Sequence, residues 1–146
     1  MKTLDWKALI LGFLAKLTVE TALNAIFFVA FGAYMRLALG ASPWWLHERF
    51  LRSPVGMICG TVAALAAYWT LGFVIGHFAK RAPFFNITSY LVAEALLSLL
   101  ALGLDIPYSA RVDFWESLIL VFCVAAAFVG GLSVRQIVKN QGVVKW

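Results

Sequence analysis

Four apolar stretches, each long enough to cross a lipid bilayer as a helix, dominate this chain. A hydrocarbon core about 30 Å thick calls for roughly 20 such residues, and hydrocarbon gives the backbone nothing to bond, so helices or closed barrels are the only spanning solutions. The stretches cover 9–39, 55–78, 86–104 and 114–134. The first runs from about Leu9 to Phe31, apolar but for a few polar and charged residues, and helix is expected to continue through Tyr34 and Arg36 toward Gly40. The second opens on Ser53-Pro54, a polar N-cap followed by a proline at the first helical position. Asn86 is the expected cap of the third.

Composition supports the same class. Hydrophobic residues make up 63% of the 146 and charged ones 13%, against about 45–50% and about 25% in soluble domains. A soluble fold of this length has too little interior to hide so much apolar surface. The chain is therefore expected to be one all-α membrane domain, residues 1–146, with four transmembrane helices. The first helix should be retained, because its run exceeds a signal-peptide core of roughly 7–15 residues and contains Lys16 and Glu20.

Flanking basic residues set the expected orientation. Lys2, Lys7, Lys80, Arg81, Arg135, Lys139 and Lys145 fall on one side, and Arg36, Arg49, Arg52 and Arg111 on the other. The excess puts the first group, and with it both termini, in the cytoplasm. Between helices one and two, Ala41 to Ser53 mixes Trp44 and Trp45 with His47, Glu48, Arg49 and Arg52. This suits an interfacial segment anchored by the two indoles. Asp105 to Asp113, with Pro107, is a polar turn between helices three and four.

Within the first helix, Lys16, Glu20 and Asn24 recur every fourth residue, each turned about 40° from the last, so the three share a face. In the third, Tyr90, Glu94 and Ser98 form a similar strip. A central Lys or Asp costs about 2.5–3.5 kcal/mol to insert, so these faces should turn toward other helices or a wet cavity. Counted from Leu9 and Asn86 at about 1.5 Å per residue, Lys16 and Glu94 lie about 10 and 12 Å deep, and Glu20 about 16 Å. Lys16 has two candidate partners. Lys preceding Glu by four residues is the weaker orientation within a helix, which favours Glu94 over Glu20. The cluster reads as structural glue between helices, as part of an ion or proton path, or, third, as a contact with a partner's helix or a lipid headgroup.

Small residues suggest where backbones approach. Gly56 and Gly60 form one GxxxG and Gly72 and Gly76 another, while Gly130 and Gly131 in the fourth helix follow Ala126 and Ala127 at the same spacing. Such pairs drive helix association in membranes, within a bundle or between subunits.

Other functional classes find little footing. Cys59 and Cys123 sit in apolar runs without metal-ligand spacing, and His77 is a lone histidine at a helix end. No metal, cofactor or catalytic residue is expected. The formal charge of +5 is dispersed, with no stripe to track a phosphate backbone, so nucleic acid is not an expected partner. Asp5-Trp6-Lys7-Ala8 running into Leu9-Ile10-Leu11-Gly12-Phe13-Leu14, and Ala79-Lys80-Arg81-Ala82-Pro83, resemble small four-helix bacterial inner-membrane proteins without assigned activity. That resemblance implies a bacterial inner membrane and carries over no site residues.

The leading expectation is a non-enzymatic accessory or scaffolding subunit, its partners being the bilayer and another membrane protein or a second copy. The alternative is a small homo-oligomeric transporter or channel using Lys16, Glu20 and Glu94. A membrane enzyme ranks a distant third.

Overall fold

The computed structural model describes residues 4–40, 50, 52–79, 82–104 and 114–140. These form four helices: α1 (Trp6–Leu39), α2 (Pro54–Phe78), α3 (Pro83–Leu104) and α4 (Phe114–Asn140). Three segments, Trp6–Ala38, Pro54–Phe78 and Leu118–Ile137, are long and apolar enough to cross a membrane. Trp44 and Trp45, with most of the expected interfacial segment, lie outside the described residues.

Local chemistry moves several helix ends away from the edges of the apolar runs. α1 starts at Trp6 because the Asp5 carboxylate accepts the Ala8 N–H at 3.1 Å, which caps the first turn. It ends at Gly40, whose φ of 60° is left-handed and whose N–H reaches the Arg36 carbonyl at 3.2 Å. α2 begins as expected, with Ser53 Oγ accepting the Gly56 N–H at 3.0 Å ahead of Pro54. α3 starts at Pro83, not Asn86, since a proline fits the first turn, where its missing N–H is no loss. α4 continues past Val134 to Asn140. Polar residues enter there but backbone bonding continues, and Arg135 suits the negative end of a helix dipole.

α2 is the central helix, packed most extensively on α4 and on α1, while α3 rests more lightly on its neighbours and touches α1 least. Successive helices run in opposite directions. Asp5, Ala79, Asn86 and Arg135 gather at one end: the Asp5 N–H donates to Asn86 Oδ1 at 2.7 Å, and Arg135 lies 4.9 Å from the Phe84 ring. Asn86 is thus a buried clasp between the starts of α1 and α3, its amide also donating to the Ala82 carbonyl at 2.9 Å. That is a different role from the cap expected of it. Toward the other end, Phe50 is buried against Phe31 and Phe28, with ring centroids 4.8 and 6.2 Å away.

Small side chains fill much of the interior. Ala8, Ala63, Ala67, Ala79 and Ala127 are buried beside Leu71, Ile75 and Ile87, whereas Ile10, Ile26, Val29, Leu97, Leu120 and Val121 are exposed. A water-soluble bundle shows the reverse, while in lipid close backbone approach is the stronger drive. The α2–α4 contact shows this most sharply. A Cβ on Gly72 would fall 1.7 Å from the Ala127 carbonyl oxygen, and one on Gly130 would fall 2.1 Å from that of Trp69. Gly76 faces the Gly131 Cα, 3.1 Å from where its own Cβ would stand, and Gly131 meets Ile87 of α3. Gly56 is buried. Gly60 departs from the expected packing role: its outward face is open, and a Cβ there would meet nothing within 4 Å.

Candidate functional site

Inside the bundle, the Lys16 ammonium pairs with Glu94 Oε1, so α1 and α3 are joined by charge where they are least joined by packing. Lys16 is 8% exposed. Its Nζ sits 4.1 Å from the centroid of the Tyr68 ring on α2 and 6.0 Å from that of Tyr90 on α3. A desolvated cation over an aromatic face recovers part of what it loses on leaving water. The ammonium of α1 is thus held by one carboxylate and flanked by two rings, supplied by two other helices. Cys123 of α4 is a buried free thiol.

The rest of the cluster is less well compensated. Glu94 Oε2 is fully buried and has no hydrogen-bond partner among the described residues. Glu20 is half-buried, and Asn24 is exposed. Neither makes a hydrogen bond or ion pair among the described residues, so of the two carboxyls available to Lys16 it is Glu94 that takes the bond.

Depth gives this its meaning. From Lys7 to Arg36, α1 covers about 43 Å at 1.5 Å per residue, close to the roughly 40–45 Å of a bilayer with its headgroups. The midpoint falls between Thr21 and Ala22. Lys16 then lies about 8 Å from the midplane, and Glu20 and Asn24 within about 4 Å of it on either side. With α1 so placed across a bilayer, a carboxyl without a partner among the described residues and an exposed carboxamide would stand where hydrocarbon offers them no hydrogen bond.

Two participants escaped the sequence reading. Tyr68 is ten residues from the end of α2, as Lys16 is ten from the start of α1, and in antiparallel helices that matches their levels. A lone phenol at that depth was the available signal. Gly12 is the other: a Cβ there would come within 2.7 Å of Ile75, and its partner in the small-residue spacing is Ala8, fully buried. The spacing was legible, but alanine is too common in apolar runs to stand out.

Among the described residues no three His, Cys, Asp or Glu side chains converge as a metal site requires. His77 is exposed at the end of α2, against the Phe78 ring. The class defined by this fold and site is an all-helical bundle, apolar outside, with three helices able to cross a membrane and a tyrosine-flanked ion pair within. Comparison with protein families, curated proteins and solved structures found no match.

Proposed function

We propose that this protein is a non-enzymatic, multi-pass subunit of a larger membrane assembly, with an accessory or scaffolding role. The observation that carries the reading is that Glu20 has no hydrogen-bond or ion-pair partner among the described residues and Asn24 is exposed, both near the middle of the long apolar helix α1. Polar side chains at that depth are expensive facing lipid, and they are satisfied when another helix covers them. The close α2–α4 contact at Gly72, Gly76 and Gly130 supports a scaffold, and the light contact between α1 and α3 leaves their facing sides open to a neighbour.

In this reading all four helices cross the membrane. α3 has 22 residues, about 33 Å, enough for the hydrocarbon core. Both termini lie in the cytoplasm, from the excess of basic residues at that end, and the membrane is the bacterial inner membrane that the sequence resemblance implies. Extraction from the native membrane in mild detergent tests the proposal. Recovery in a complex heavier than the 16.1 kDa chain, with a second membrane protein in fixed ratio, is the expected result. A chain found only as a monomer would refute it.

A second reading, a homo-oligomeric transporter or channel, is favoured by the buried and unpartnered Glu94 Oε2 beside the Lys16 ammonium. Intramembrane carboxyls commonly mark ion and proton paths. Proteoliposomes holding only this chain should then show flux that Glu94→Gln abolishes. Absence of flux across several ions and pH values would dismiss it.

A further inference from the structure

Between α1 and α3 the bundle is open. A cleft of about 250 Å³ runs along the half nearest the Asp5–Asn86 clasp, walled by Leu9, Ile10 and Phe13 of α1 and by Ser89, Tyr90 and Ala93 of α3. Glu20 and Asn24 follow Leu9 and Phe13 by about three turns of helix, so they continue the same α1 wall beyond the Lys16–Glu94 pair. The wall is apolar for half its length and polar at the midplane.

That pattern selects among occupants. A lipid tail would fill the apolar half and leave the carboxyl and carboxamide bare. A second copy brings no spare charge, because near the midplane its one cation among the described residues is Lys16, already held by Glu94. The cluster itself holds one cation against two carboxyls, so the missing group is a positive one. We infer that the α1–α3 cleft receives a single transmembrane helix of a different protein, carrying a Lys or Arg near mid-membrane that pairs with Glu20. Asn24, one turn further, offers that helix both a donor and an acceptor. The inference rests on the subunit reading above and names the face and the chemistry of its partner.

Photo-crosslinking in cells expressing the full chain tests it, with the probe at Ile10 or Phe13 in the cleft, or at Ala22 or Val29 on the opposite, exposed side of α1. Cleft probes should yield adducts with a transmembrane segment bearing Lys or Arg near its centre, and the outer probes should not. Glu20→Gln should lower recovery of the complex about tenfold while leaving unfolding of the purified chain unchanged. Glu20→Lys should abolish the complex, and the reciprocal change of the partner's cation to Glu should restore it. Adducts with lipid alone, with a second copy, or with a helix lacking a basic residue would overturn the inference. Recovery of the Glu20→Gln complex at the wild-type level would also overturn it, yet leave the subunit reading standing. Absence of any partner for the wild-type chain would remove both.

Discussion

Lys16 makes its contacts on two other helices, and each can be removed separately. Breaking a buried pair in soluble folds costs about 3–5 kcal/mol, but polar couplings measured inside membranes average about 0.6 and reach about 1.7. A double-mutant cycle on Lys16→Leu and Glu94→Leu, read by reversible unfolding in detergent, should therefore give a coupling of about 1–2 kcal/mol. The high end is expected, since Glu94 Oε2 has no second partner to fall back on among the described residues. Additive single effects would show that the two charges are solvated independently. Tyr68→Leu should lose about 2 kcal/mol by removing the ring 4.1 Å from the ammonium, whereas Tyr68→Phe, which keeps the ring, should lose much less. Equal losses would shift the credit from the ring to the hydroxyl. The Lys16–Glu94 contact was legible because helix rise is nearly constant, so residue count converts to depth. That Glu20 would be the less well compensated carboxyl followed from the same reasoning, whereas the exposure of Asn24 was not legible, because which part of a shared helix face meets a neighbour depends on tertiary packing.

Helix contacts here are decided by the space available to a single carbon. At Gly72 and Gly130 the atom in the way is a neighbouring carbonyl, which cannot swing aside, so alanine at either position must push α2 and α4 apart. The expected loss exceeds the about 1–3 kcal/mol usual for overpacking. Gly12→Ala meets the flexible end of Ile75 and should cost less. Gly60→Ala, facing open space, should be neutral or stabilising by up to about 1 kcal/mol from helix propensity. Thermal unfolding of the four variants ranks them, and a costly Gly60→Ala would reveal a contact with another chain. Apolar runs marked the helices but not their ends. Asp5 caps through a local hydrogen bond, and Asn86 reaches across to α1, neither of which alters hydropathy. Asn86→Ala should free the Asp5 N–H, lower stability by about 1 kcal/mol, and speed amide exchange at the start of α1.

Across the whole molecule, the start of α1 and the end of α4 share one end of the bundle, near Asn86 and Phe84. Single cysteines at Lys2 and Lys145, in a chain with Cys59 and Cys123 replaced, should both react with an impermeant thiol reagent in inverted vesicles and neither in intact spheroplasts. Labelling of only one from each side would mean an odd number of crossings. The bundle's charge arrangement also bears on how the chain is made. Glu94 lies 78 residues after Lys16, which at about 5–20 residues per second is a wait of roughly 4–16 s on the ribosome. Tyr68 emerges first, so the nascent α1–α2 hairpin can lay a ring beside the ammonium while its counter-charge has yet to be synthesised. The third helix is thus the event that completes the ion pair, and a chain halted before it leaves Lys16 with the Tyr68 ring and with Glu20, one turn along its own helix, in place of its final partner.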